Sequence, residues 1–225
     1  VTLFEHTCKF AFDVGEISID FGLTADYKSP SSKIEPHAGL GLRSSGMSTG
    51  SPKTLIDQMV SKKVIDTDAF SLHLATEEHA AGKLILGGDD PDSYQEPMRF
   101  ALVVDTTYVT LTGFNIGGDA YPRVQVESRA YPDTGADVIA VPGLKSSWSL
   151  WFIPSLPAGV DGFDVPLVIT PDAYVEPKPK PGGKDCILLV DDDPDNEWTI
   201  GHPALLGKYF SFRWGEKKIG IAELK

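Results

Sequence analysis

Turn-forming residues decide what this chain can fold into. Seventeen prolines and 22 glycines are scattered through its 225 residues and cut the apolar residues into short runs. Pro cannot continue a helix and Gly weakens one, so short strands joined by turns are favoured over long helices. Alternating or apolar runs predict strands at Lys9–Val14, Glu16–Phe21, Ala69–Ala75, Lys83–Gly87, Arg99–Val104, Tyr108–Ile116, Val124–Ala130 and Val138–Val141. Further runs follow at Leu167–Ile169, Cys186–Val190, Tyr209–Trp214 and Lys218–Ala222. The best helical signal is Ser51–Val60, where a Ser or Thr cap precedes apolar residues; His202–Lys208 is a shorter one. The expectation is an all-β protein with a core large enough for one domain or two small ones.

One short motif carries chemistry. Asp133-Thr134-Gly135 lies within Ala130-Tyr131-Pro132-Asp133-Thr134-Gly135-Ala136-Asp137-Val138-Ile139. A carboxylate thus stands on a tight Gly turn between two apolar stretches. A second Asp-Thr-Gly or Asp-Ser-Gly does not occur in the sequence.

Charge removes some partners. Thirty-two acids against 20 bases give a net charge of −12, which is wrong for a nucleic-acid phosphate backbone. No apolar run reaches the ~18 residues of a membrane span, and Val1 opens no signal-peptide pattern. Cys8 and Cys186 are too few for a disulfide framework or a zinc cluster, and they pair or stay free. Asp191-Asp192-Asp193-Pro194-Asp195-Asn196-Glu197 lacks the spacing of a calcium loop and reads as a solvated acidic turn. His6, His37, His73, His79 and His202 show no ligand spacing, so neither a metal nor a cofactor is expected. Glu176–Gly183, rich in Pro and Lys, reads as a surface loop, and Gly87-Gly88 and Gly117-Gly118 as hairpin turns.

Taken in order, the segments resemble the pepsin-like aspartic proteases along nearly the whole chain. Val14-Gly15-Glu16-Ile17-Ser18-Ile19-Asp20-Phe21-Gly22-Leu23-Thr24 looks like the strand pair after that family's flap. Pro36-His37-Ala38-Gly39-Leu40-Gly41-Leu42 is similar to its D-G-I-L-G-L motif, and Gly82-Lys83-Leu84-Ile85-Leu86-Gly87-Gly88-Asp89-Asp90 to its G-x-L-x-x-G-G-x-D. Asp133–Val141 stands where the second catalytic loop belongs. Trp198-Thr199-Ile200-Gly201-His202-Pro203 with Ile219-Gly220-Ile221-Ala222 resembles the closing W-I-L-G-D and I-G-F-A signatures.

The resemblance implies an acid-protease fold with an incomplete N-terminal lobe over residues 1–98, including a central sheet, and a complete C-terminal lobe over 99–225. It implies peptide hydrolysis by two carboxylates that share one proton around a water. Asp133 is the expected catalytic member. Thr134 and Gly135 support the loop, with Ile200 and Gly201 packed beneath it; Ala136, Asp137 and Thr199 line the substrate cleft. The partner is a peptide or protein substrate, and secretion or a vacuole is the family expectation. The first catalytic Asp and the flap tyrosine are expected in a segment that precedes this sequence.

Departures from the pattern keep other readings open. Ala136 replaces a hydroxyl residue, although Asp-Thr-Gly-Ala-Asp is similar to the retroviral protease form. Pro132 replaces an aliphatic residue and removes a strand donor. His37 and His202 replace family Asp residues, and the usual partner of Cys186 would fall near Ile153-Pro154. The chain is therefore the heavy part of an endopeptidase whose other Asp lies on a separate segment, a dimer in which two copies each give an Asp133, or a decayed homologue that binds without cutting.

Overall fold

The computed structural model describes residues 2–26, 39–43, 53–76, 81–105, 107–114, 124–142, 158–160, 167, 169, 171–177, 186–193 and 197–225. His37, His79, Gly117-Gly118, residues 153–154, 178–183 and 194–196 fall outside them. The chain divides into two compact units, Val1–Asp68 and Ala69–Lys225. Both are built mostly of strands.

In the first unit, strand β1 (Thr2–Phe12) and strand β2 (Gly15–Asp26) form an antiparallel hairpin. Asp13-Val14 makes the turn, and Gly15 follows it at φ 114°, a conformation that favours glycine. Alternation then sorts the side chains onto two faces. Phe10 pairs with Ile17 and Cys8 with buried Ile19, while Phe21 meets Phe10 and His6 edge-on at 5.6 and 5.4 Å. Thr7, Lys9, Glu16 and Asp20 occupy the opposite face, where Thr7 Oγ1 donates to Asp20 Oδ1 at 2.6 Å.

Helix α1 (Leu55–Ser61) begins in a capping box: Asp57 N donates to Thr54 Oγ1, and Thr54 N donates to Asp57 Oδ2. The cap is thus Thr54, the second of the two residue types that the sequence allowed there. Ile56 and Met59 are buried, and so is the polar Gln58. Gln58 is satisfied by the backbone of Asp20, accepting from its N–H at 2.9 Å and donating to its carbonyl at 2.8 Å. That bidentate bond fastens α1 to β2.

The second unit holds strands β3 (Ala69–Leu74), β4 (Lys83–Leu86), β5 (Arg99–Val104), β6 (Tyr108–Phe114), β7 (Val124–Asp133), β8 (Ile139–Pro142) and β9 (Ala158–Val160). It continues with helix α2 (Pro171–Tyr174), strands β10 (Val175–Pro177), β11 (Cys186–Leu188), β12 (Val190–Asp193) and β13 (Trp198–Gly201), helix α3 (His202–Leu205), and strands β14 (Lys208–Arg213) and β15 (Lys218–Glu223). Among the described residues one eleven-stranded sheet runs β12-β8-β13-β7-β6-β5-β15-β14-β3-β4, with β9 also on β6; β10 and β11 pair apart from it. Phe70 stacks on Phe212 at 4.6 Å, and with Leu72, Ala101, Phe210 and Ile219 these residues form the buried face.

Four expectations are corrected. Asp191–Asp193 are not a turn but the body of β12, held parallel to β8 through Asp191↔Ala140 and Asp193↔Pro142. Their charges suit the end of the sheet order, where they discourage further pairing. Glu176 and Pro177 belong to β10 rather than to a loop, because they find partners in Ile187 and Cys186. Gly87-Gly88 is no hairpin turn: Gly87, at φ 86°, leads out of β4 to a turn where Ser93 N donates to the Asp90 carbonyl. The second helix stops at Leu205, because Gly207 at φ 73° redirects the chain into β14. Val168 lies outside the described residues, while Leu167 and Ile169 are buried. Cys8 and Cys186 are exposed free thiols.

The opposite side of β3 and β14 holds buried Tyr209, packed with Tyr94 and Ala222, and beside it a charged network. Ser71 and Ser211 pair across the strands and are buried. Ser71 Oγ lies 2.6 Å from Asp89 Oδ1, Arg213 Nη2 donates to Asp89 Oδ2 at 2.6 Å, and Arg213 Nε donates to Ser211 Oγ at 3.3 Å. The Arg213 guanidinium also covers the Phe100 ring at 4.7 Å. Burial alone would raise the Asp89 carboxyl, but bonds from Ser71, Ser211 and Arg213, with the Arg213 charge, hold it below its ordinary 3.8. A depressed folded-state value stabilises the fold above the ordinary carboxylate range and is lost as pH falls through that folded value. Asp89→Asn should therefore cost about 2–3 kcal/mol near neutrality, less than a fully buried pair because Arg213 is partly exposed. Thermal unfolding across a pH series should show this deficit shrinking at the acid end.

Candidate active-site loop

Strand order builds the Asp133 loop. β6 pairs with β7 as far as Val109↔Ala130. Beyond that point β13 takes over, parallel to β7, with Thr199↔Tyr131, Ile200↔Pro132 and Gly201↔Asp133. β13 also lies against β8 through Thr199↔Ala140, so it is inserted between β7 and β8. The chain leaving β7 must therefore arch over the end of β13 before it re-enters the sheet. Asp133, Thr134, Gly135, Ala136, Asp137 and Val138 form that arch.

Pro132 is accommodated by the same geometry. It was expected to disturb the strand entering the loop, yet β7 continues through it to Asp133. The β6 ladder has ended by then, so on that side Pro132 has no strand partner among the described residues that would need its missing N–H. Its ring joins Ile200, Val109, Phe210 and Ile219 around an apolar pocket beneath the loop. Ala130 and Ile200 are buried, so alternation sends Tyr131 and Asp133 to the other face.

Two contacts pin the arch. His202 N donates to the Ala136 carbonyl at 2.8 Å. Gly201 lies so close beneath that a Cβ there would stand 1.9 Å from the Val138 carbonyl oxygen and 2.7 Å from that of Ala136. Within the arch, Gly135 N donates to Asp133 Oδ1 at 2.8 Å and Ala136 N to the Asp133 carbonyl at 3.3 Å. The side chain thus folds back on its own turn, as Asp commonly does. A side chain at residue 135 would crowd that carboxylate, its Cβ lying 3.2 Å from Oδ1. Asp133 is half-buried, whereas Thr134, Gly135 and Asp137 are exposed.

The structure gathers Asp133, Thr134, Gly135, Ala136, Ile200 and Gly201 into one unit of backbone. Asp137 is on the outer rim of the arch. Thr199 pairs with Tyr131 and so shares the Asp133 face of the sheet, two strands from Asp193 on β12, whose Oδ2 lies 3.5 Å from its hydroxyl. Sequence reasoning did not single out Tyr131 and Arg129, two and four residues before Asp133. Tyr131 lies 5.6 Å from Tyr108, whose ring carries the Arg129 guanidinium at 4.0 Å. Arg129 is itself bound to Asp105 at 2.9 Å and approached by Glu197 at 3.8 Å. The two-residue strand period was the available signal for this set.

Comparison with known proteins gives the family. The family model for eukaryotic aspartyl protease matches residues 11–147, a stretch that includes the whole arch. The chain belongs to that family. It is 22% identical over 209 residues to gastricsin of Rattus norvegicus, covering 81% of this chain and 53% of the relative. It is 24% identical over 207 residues to plasmepsin IV of Plasmodium falciparum, covering 83% and 45% respectively. The chain thus spans about half the length of these curated relatives.

Gly201→Ala tests the arch. The added methyl has backbone on two sides and no flexible neighbour to displace. The loop must lift or β13 must slide, at a cost of about 1–3 kcal/mol or more. Thermal unfolding should show the loss, and near-ultraviolet circular dichroism should report a changed environment for Tyr131 and Trp198.

Proposed function

We propose that this chain supplies one carboxylate, Asp133, to an aspartic-type endopeptidase centre that cleaves peptide or protein substrates. The observation that carries the proposal is the pinned arch: a half-buried carboxylate on a Gly turn, fixed from below by Gly201 and His202 N. The chemistry calls for a second carboxylate, from a loop outside these 225 residues or from a second copy of the chain. Two carboxylates about 3 Å apart share a proton, so one takes a proton from water while the other gives one to the peptide oxygen. Thr134 would tie the two loops together, and Ala136, Asp137 and Thr199 would flank the substrate backbone. Residues 1–98 and 99–225 would then be the remainder of one lobe and the whole of the other. A secreted or vacuolar setting fits this reading. Among the described residues no helix is long and apolar enough to cross a membrane.

A non-catalytic binding role is the second reading. It is favoured by Ala136, which cannot offer Asp133 the hydroxyl that the family loop provides. The two readings part in one assay: cleavage of an unfolded protein at acid pH, with and without pepstatin, alongside an intact mass. Pepstatin-sensitive cleavage is expected once the second carboxylate is present, and Asp133→Asn should lower it by about a hundred- to ten-thousandfold. Cleavage that is absent, or that survives Asp133→Asn, would overturn the catalytic reading.

A further inference from the structure

One carboxylate in the first unit has an oxygen without a donor. Asp68 Oδ1 is buried and accepts no hydrogen bond among the described residues. The charge acting on it is that of Asp57, which repels it. Lys62, Lys63 and Asp66, its charged neighbours along the chain, are exposed. Asp57 is already engaged: its Oδ2 accepts from Thr54 N at 2.9 Å and from Thr54 Oγ1 at 2.6 Å, closing the start of α1. α1 in turn grips β2 through the two bonds between Gln58 and the Asp20 backbone. Asp68 is half-buried, and its ionised form sets a negative charge with one oxygen unsatisfied against the cap on which this attachment depends.

We infer that Asp68 is a proton-operated latch: its neutral form lets α1 hold β2, and its ionised form loosens that hold. Solvation costs set the direction. A buried acceptor without a donor is unfavourable, and far more so when it carries charge. Burial first, and the Asp57 charge second, raise the Asp68 carboxyl above its ordinary 3.8. The folded protein therefore binds this proton more tightly than the unfolded chain. The resulting stabilisation is complete below the ordinary carboxylate value and is lost as pH rises through the raised folded value. Asp89, with its depressed value, works in the opposite sense, so the Asp68 contribution is read as a difference between wild type and variant.

The test uses the whole chain with Asp68→Asn and Asp68→Ala, neither of which can ionise. Thermal unfolding is followed from about pH 3 to about pH 7. Near neutrality both variants should melt roughly 2–4 °C above wild type, and the gap should close toward acid. Amide hydrogen exchange, corrected for its intrinsic pH dependence, should show α1 and β2 of the wild type losing protection as pH rises while the variants keep theirs. Parallel melting curves, a gap that widens toward acid, or two variants that fail to fold at neutral pH would overturn the latch. If Asn alone disrupts folding, the Ala curve decides.

Discussion

The insertion of β13 between β7 and β8 is the constraint on which the rest of the candidate site depends. A strand that passes directly to its sheet neighbour needs only a hairpin. Here the neighbour position is occupied, so the chain must leave the sheet and climb over the intruding strand end. The height of that climb is fixed by what lies at the end, and glycine at 201 is the one residue type that lets the Val138 and Ala136 carbonyls come down so far. The Asp133 carboxylate therefore owes its position to a strand that begins 65 residues later, at Trp198. Its own turn supplies just the final orientation, through the Gly135 N–H.

Pairing of distant strands explains why parts of this fold could be read from sequence and others could not. Strands with strong local patterns, such as Arg99–Val104 and Lys218–Ala222, could be recognised because alternation and turn residues act within a few positions. A Ser or Thr cap ahead of α1 was legible for the same reason, and the structure makes it Thr54. Asp191–Asp193 was not: nothing local makes three aspartates a strand, and β8 confers that state on them from outside. Likewise Pro132 looked disruptive when β7 was imagined with neighbours on both sides. Once the β6 ladder is seen to stop at Ala130, Pro132 has no strand partner on that side among the described residues. Gly201 could be named from its motif, but the carbonyls it admits belong to residues more than sixty positions earlier, which no local pattern reports.

Polar burial in the two units follows two different solutions. Around Asp89 the serines and Arg213 supply donors to both carboxylate oxygens, so the charge is welcome and the group resists protonation. Around Asp68 the described residues offer no donor to Oδ1, and the nearby carboxylate is busy with a helix cap. The first arrangement favours the charged carboxylate and the second the neutral acid. In a chain with a net charge of −12, acidification also removes general self-repulsion. Asp68 acts in the same sense as that global effect, whereas Asp89 opposes it.

These electrostatics bear on the conditions under which an Asp133-type centre could work. Two carboxylates that share a proton need a medium acid enough to keep that proton and a fold that tolerates the same acidity. The Ser71–Asp89–Arg213 network survives until pH falls below the ordinary carboxylate range, because its folded-state value is depressed. It joins Ser71 of β3 to Ser211 of β14, in the sheet that also carries β7 and β13. The sheet that carries the arch is thus tied elsewhere by a charge that resists protonation. A loop whose height is set by backbone packing at Gly201 adds no titrating group of its own to that support. The mechanical basis of the site is in this way separated from the proton that its chemistry would move.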